Sequence, residues 1–442
     1  MRKYYFLISL MIIVISWMVF SKTNRIIIEQ LDDTGTVKIT VNFLIHMAAR
    51  NVEDKIHFTS ERPGVKIIKN ARWLNDSTLE IFAVEEGLPR GFLTRLYIEP
   101  LKTRIPGLYK SAKALYRANI SPFLIGLSPV APTRGPIVLN FSTPIKKEGL
   151  TKYLETDFKF TLKPGMNLGS EGRFFKDYSK WYILPEKGLE PGKSYRLDFD
   201  GYMENFTGMS KKVEFSRAFK AATVPQVVST SPSDGQKDVP VYGPVIINFD
   251  VDMAEVAVKI GGMTGDTVVQ GRTATYKPHA AFLPGRTYEA EICGKSLFGE
   301  VMKPLSFNFS IMDMGDKLWV EVNLRRLQKV VIYRGARAIR TMLVSGGLPG
   351  LENETPLGYF TIKDRGESFW SEKYKEGALY WVRIKGDFLF HSIPRDLEGN
   401  IIEEEYKKLG IPASHGCIRM RDEDARWFYE NVPEGAMVVI HD

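Results

Sequence analysis

The sequence predicts a mainly β protein: tandem β-sandwich modules of about 100 residues each, followed by a β-rich C-terminal domain with short helices. Three observations carry this. Strand-like runs ending in Asn-Phe recur at Val37–Phe43, Ile137–Phe141 and Val245–Phe249. A turn recurs downstream of each, at Leu88-Pro89-Arg90-Gly91-Phe92, Leu189-Glu190-Pro191-Gly192-Lys193-Ser194-Tyr195 and Leu283-Pro284-Gly285-Arg286-Thr287-Tyr288. Between these marks the chain alternates apolar and polar residues, as in Tyr195-Arg-Leu-Asp-Phe199, with few helical stretches.

The first element is an apolar run. Met1-Arg2-Lys3 precedes Tyr4–Phe20, 17 residues without a charge, followed by Lys22 and Arg25. As a helix this run covers about 25 Å, near the lower limit for a bilayer core. Ser16–Ser21 is too bulky for a signal-peptidase site, which favours an uncleaved signal anchor over residues 1–23 rather than a cleaved signal peptide. Modules are then expected over 24–122, 123–222 and 223–313. Pro-Gly sets a tight turn, and the aromatic that follows opens the next strand. The third copy, from Val224-Pro225 through Phe249, resembles bacterial Ig-like domains; the second is similar, with Ser128-Pro129 where the third has Ser231-Pro232, and the first diverges. His46, His57 and His279 are isolated from one another and read as structural or exposed rather than as metal ligands. The modules read as a stalk, extended through linkers near Pro122 and Pro225.

From Lys317 the pattern stays β-rich. Leu318–Val322 and Gln328–Tyr333 read as paired strands, followed by Arg340–Ser345, a strand entered from Thr355-Pro356-Leu357-Gly358, then Leu379–Arg383 and Phe388–His391. A helix is expected over Asp422–Asn431, with Asp422 or Asp424 capping it and Ala425, Phe428 and Tyr429 facing inward. Ala436–Ile440 closes as a buried strand.

Composition bounds the function. With 44% hydrophobic and 12% aromatic residues, the 442-residue chain has the makeup of a folded multidomain protein. Its net charge of +8 is dispersed, and no zinc-finger spacing, basic helix or stacking motif points to nucleic acid. Two cysteines make no disulfide framework. Cys293, in the strand-like Tyr288–Gly294, reads as a small buried hydrophobe.

Cys417 lies in Ser414-His415-Gly416-Cys417-Ile418-Arg419-Met420, and upstream Phe390-His391-Ser392-Ile393-Pro394 offers a histidine at the end of an apolar run. A thiolate nucleophile needs an imidazole to take or hold its proton. Gly416 allows a bend in which the amides of His415, Gly416 and Cys417 converge on a developing oxyanion. Arg419 can grip a carboxylate in a fork. A papain-type peptidase is excluded by order, since its Cys precedes its His. Zinc is disfavoured, because His391, His415 and Cys417 lack a fourth ligand.

These residues resemble the L,D-transpeptidase (YkuD-type) catalytic domain, a His, a gap, then Ser/Thr-His-Gly-Cys, with the resemblance covering 316–442. It implies that Cys417 is the nucleophile and His391 its partner, oriented through the Ser392 carbonyl. Ser414, His415, Gly416 and Arg419 are then substrate-binding or oxyanion residues. It further implies peptidoglycan stem peptides as substrates, no cofactor, inhibition by carbapenem-type β-lactams, and a single-pass chain whose bulk lies outside the cell membrane. An L,D-carboxypeptidase using water, or a wall-binding spacer with an inactive domain, are the alternatives. The 22 residues between His391 and Ser414 exceed the family's usual gap. The surplus falls in Leu397–Pro412, whose Glu403-Glu404-Glu405 and Lys407-Lys408 read as an exposed insertion.

Overall fold

The computed structural model describes residues 24–168, 172–350 and 354–442. The apolar run Tyr4–Phe20 lies outside them, and among the described residues no helix is long and apolar enough to cross a membrane. The chain is mainly β and divides into two compact units, one ending at Thr223 and the other beginning at Val224.

The first unit holds two sandwiches. Val37–Asn42 alternates strictly between buried and half-buried residues, so Val37, Ile39 and Val41 enter one core while Lys38 and Thr40 stay outside. Its sheet faces the three strands Ile56–Ser60, Thr94–Lys102 and Tyr109–Tyr116. The second sandwich closes around Phe141, Trp181 and Phe199. The Asn-Phe repeat has a structural cause. Phe43, Phe141 and Phe249 are all buried plugs at a strand end, while Asn248 faces outward and donates to Ser229 Oγ.

The recurring turn is a tyrosine corner in two copies. Glu190 N–H donates to the Tyr195 hydroxyl at 2.8 Å and Leu283 N–H to the Tyr288 hydroxyl at 2.9 Å. The first copy carries Phe92, which cannot accept. There the buried Glu85 carboxylate accepts from Gly91 N–H at 2.8 Å and from Thr94 Oγ1 at 3.2 Å. Burial raises the pKa of Glu85 despite these bonds.

In the second unit, residues 227–311 form a sandwich of two four-stranded sheets. One sequence expectation fails here. Cys293 is exposed, not buried, because Tyr288, Ala290 and Ile292 of strand Thr287–Ser296 face the core and the alternation turns Cys293 outward.

The C-terminal domain is built on a nine-stranded sheet. Its strands are β1 (Leu318–Asn323), β2 (Lys329–Arg334), β3 (Arg337–Ser345), β4 (Gly358–Thr361), β5 (Arg365–Ser371), β6 (Glu376–Lys385), β7 (Phe388–Ser392), β8 (Ile418–Met420) and β9 (Met437–His441). They run in the order β4-β9-β1-β2-β3-β8-β7-β6-β5. Helix α1 (Asp422–Asn431) lies where expected and packs Phe428 on Phe390, ring centroids 4.4 Å apart. Its N-terminus is not capped by an aspartate: Arg421 takes that place without a side-chain bond. Asp422 pairs with Arg395 instead, and Asp424 with Arg340 at 2.7 Å.

β1 is buried on both faces, which decides how this domain meets the sandwich before it. Val320 and Val322 point into the core of the C-terminal domain, while Trp319, Glu321 and Asn323 point the other way. Trp319 joins the sandwich core around Phe282, Tyr288 and Phe309 and lies flat on Tyr333, centroids 4.4 Å apart. Glu321, 2% exposed, accepts from Ala281 N–H at 2.7 Å, His441 Nε2 at 2.9 Å and the Tyr333 hydroxyl at 3.0 Å. Asn323 donates to the His279 carbonyl at 2.8 Å, and Tyr242 stacks on His441 at 4.2 Å. The two domains are therefore welded through a shared apolar core with a saturated carboxylate inside it. No spacer separates them.

Candidate active site

The catalytic residues proposed from sequence arrive on two neighbouring parallel strands. β7 pairs with β8 so that Phe390 lies beside Ile418, His391 beside Arg419 and Ser392 beside Met420. Phe390 and Ile418 are core residues. Strand alternation therefore turns His391, Arg419 and Cys417, which immediately precedes β8, to the opposite face. That face forms the floor of a cleft of about 620 Å³ lined by all three.

His391 is buried. Its Nδ1 lies 2.6 Å from the Ser392 carbonyl oxygen. A carbonyl only accepts, so Nδ1 carries the proton and Nε2 keeps its lone pair in the neutral ring. Burial, reinforced by the positive charge of Arg419, pushes the His391 pKa down to about 4, although the Ser392 carbonyl pulls the other way. A neutral imidazole with a free nitrogen is a general base.

Cys417 is partly exposed, and its thiol donates to the Asp387 carbonyl at 3.3 Å. Burial pushes this thiol up, while a backbone hydrogen bond from Leu389 and the charge of Arg419 pull it down. Burial thus works on both groups in the direction of their neutral forms.

The loop before Cys417 is held from several sides. Gly416 has φ +114°, a conformation that glycine adopts without strain. Ser414 Oγ donates to the Cys417 carbonyl at 2.5 Å and accepts from Gly416 N–H at 3.0 Å. That second bond engages the amide of Gly416, one of the three that the sequence proposes for an oxyanion. Thr355, from the Thr-Pro-x-Gly segment, donates to the Gly416 carbonyl at 2.9 Å and accepts from Gly347 N–H at 2.7 Å. Its sequence context marked a strand entry but gave no sign of this role. His415 is exposed at the cleft rim and stacks on Tyr374, centroids 4.4 Å apart.

Arg419 departs from expectation. Its side chain is 6% exposed, and its fork is filled by the protein's own carboxylates, Glu405 and, at 3.3 Å, Glu376. The insertion is likewise not wholly exposed. Glu403, Glu404, Lys407 and Lys408 face solvent, but Glu405 turns inward from the short helix Glu403–Tyr406. The segment is tied down beyond it: Ser345 Oγ donates to the Lys408 carbonyl at 2.8 Å, and Gly410 N–H donates to the Val344 carbonyl at 3.0 Å. An EEE-KK run has the pattern of a solvated helix, and nothing in it singles out the one glutamate that reaches back to β8.

The C-terminal residues 317–440 match the L,D-transpeptidase catalytic domain (YkuD), and residues 221–310 match a bacterial Ig-like domain. Within the second unit, a segment similar to a bacterial Ig-like domain is therefore followed by one similar to an L,D-transpeptidase catalytic domain. Over 127 residues the chain is 48% identical to the putative L,D-transpeptidase YciB of Bacillus subtilis (strain 168), covering 28% of this chain and 65% of that protein. Among solved structures, an L,D-transpeptidase in complex with imipenem aligns at 20% identity and a TM-score of 0.25, over 49% of this chain and 100% of the other. L,D-transpeptidase 3 from Mycobacterium tuberculosis, in complex with a faropenem-derived adduct, aligns at 21% identity and a TM-score of 0.24, over 49% and 98%.

Proposed function

We propose that the chain is a peptidoglycan L,D-transpeptidase with Cys417 as nucleophile and His391 as acid–base partner. The observation that carries this reading is the neutral His391 whose Nδ1 is fixed by the Ser392 carbonyl, in one cleft with the Cys417 thiol. His391 Nε2 takes the thiol proton as sulfur bonds to the carbonyl carbon of the third residue of a tetrapeptide stem. The His415 and Cys417 amides face the developing oxyanion. The C–N bond to the terminal D-alanine then breaks, and His391 returns the proton to the departing amine. In the second half, His391 accepts a proton from the side-chain amine of another stem as nitrogen bonds to the thioester carbon. The C–S bond breaks and the thiolate is reprotonated, leaving a 3→3 cross-link. No cofactor enters. On this reading Tyr4–Phe20 is a single-pass anchor in the cell membrane, the bulk of the chain stands at the wall, and carbapenem-type β-lactams acylate Cys417.

Incubating the soluble chain from residue 24 with disaccharide-tetrapeptide tests this by mass spectrometry. Released D-alanine, a 3→3 dimer and a carbapenem adduct on Cys417 are expected. D-alanine release without dimer would make water the acceptor. Neither release nor adduct from folded protein would sink the reading.

A further inference from the structure

We propose that Glu405, supplied by the connection between β7 and β8, is a positioning residue for Arg419, and that through Arg419 it sets the charge in whose field Cys417 and His391 exchange their proton. The inference rests on the acyl-transfer reading above.

Arg419 stands beside His391 in register and two residues from Cys417. A guanidinium is a permanent cation, and the Arg419 side chain, 6% exposed, places one in the lining of the cleft. One terminal nitrogen reaches Glu405 and, at 3.3 Å, the Ala413 carbonyl; the other reaches Glu376 at 3.3 Å. Its buried Nε has no hydrogen-bond partner among the described residues. The cation is thus steered entirely through its terminal nitrogens, and its tightest partner comes from the insertion.

The charged groups facing this centre come from every element around it. Glu376 begins β6, Asp387 lies in the turn before β7, and Lys408 follows Glu405 and holds its other oxygen at 2.6 Å. Arg383 on the cleft wall is tied to Asp364 at 2.8 Å, Lys373 lies over the Tyr374 ring, and His415 sits at the rim. Arg395, on the connection itself, is closed by Asp422. Against the Arg419 charge, then, Glu405 and Glu376 are the compensating pair. Removing the Glu405 charge leaves Arg419 held by Glu376 and the Ala413 carbonyl but less neutralised. A less compensated cation stabilises the Cys417 thiolate and disfavours a charged His391.

The test is the pH dependence of Cys417 alkylation by iodoacetamide, read by intact mass on the chain from residue 24 with Cys293→Ser to silence the exposed thiol. Glu405→Gln should lower the alkylation midpoint by about half a pH unit or more, the scale expected when a neighbouring charge changes. Glu405→Asp, which keeps the charge but shortens its reach, should shift it less in the same direction. Glu404→Gln, on the same turn but facing solvent, should leave it in place. An unchanged midpoint in folded Glu405→Gln, even with slower alkylation, would reduce Glu405 to a structural brace and overturn the proposal. Should that variant not fold, an unchanged midpoint in Glu405→Asp would overturn it equally. A shifted midpoint without any carbapenem adduct on the parent chain would leave this inference standing while the acyl-transfer reading fell.

Discussion

His391 and His441 are both buried, both lie within the last two residues of a strand of the same sheet, and meet opposite surroundings. His391 is offered a backbone carbonyl on one side and a guanidinium nearby, so its ring is held neutral with one nitrogen left for chemistry. His441 is offered the buried Glu321 carboxylate at 2.9 Å and sealed under Tyr242. It serves as a strut across the joint between two domains. Burial alone therefore does not mark a catalytic histidine. On the acyl-transfer reading, what sets His391 apart is the cation beside it and its place in the lining of the cleft.

The comparison can be broken at four levels. The largest effect belongs to Cys417→Ala, which should abolish both thioester formation and D-alanine release while changing stability by no more than about 0.5 kcal/mol, as for a substitution at a cleft surface. Turnover surviving that change would remove Cys417 from the mechanism. Next, His391→Ala should slow carbapenem acylation by about 10² to 10⁴-fold. His441→Ala should instead leave the rate per folded molecule near the parent value and destabilise the second unit by about 1–3 kcal/mol in urea, because the buried Glu321 loses one of its three partners and keeps Ala281 N–H and the Tyr333 hydroxyl. If the catalytic loss followed His441, the contrast would collapse.

The third level is pH. His391 has a folded pKa below its ordinary 6.5, near 4. Its contribution to stability is complete above about pH 6.5 and is lost as pH falls toward 4, because the unfolded state binds the proton first. Glu321 is also depressed, chiefly by its His441 and Ala281 bonds opposing burial, so its contribution persists above its ordinary 4.5 and disappears only at more acid pH. Unfolding free energies of His391→Ala and Glu321→Gln against pH should therefore diverge from the parent in different windows. Coincident windows would refute the assignment of distinct environments. The smallest effect is Cys293→Ser, expected to change neither stability nor acylation, since that thiol faces solvent from strand Thr287–Ser296. Loss of activity with the fold intact would give Cys293 a role that its position does not suggest.

Much of this architecture was legible. The Asn-Phe endings recur three times, each with one buried plug, and the tyrosine turn recurs twice, each time with one corner bond. Helix α1 and the strand that carries His391 followed from periodicity. What escaped depends on contacts distant in sequence. Glu321 reads as an ordinary polar residue in a strand until His441, 120 positions away, is placed beside it. Thr355 and Glu405 act on the motif across 61 and 14 residues, and neither carries a periodic or compositional mark. Cys293 differs: the alternation that turns it outward is local, in Tyr288, Ala290 and Ile292, and it overrides the preference of a cysteine for burial.

The pairing of β7 with β8 has a consequence for how such a domain can vary. The lateral distance between the histidine and the cysteine motif is fixed by strand spacing, about 4.8 Å, and not by the number of residues that join them. Parallel neighbours require a return path in any case, and the added closure cost of a longer path grows only with the logarithm of its length. Residues can therefore accumulate between His391 and Ser414 without moving either reacting group. The same tether is anchored at both ends within the cleft, so whatever it gains arrives already close to Cys417. This makes it the segment where sequence drift is both tolerated and within reach of the chemistry.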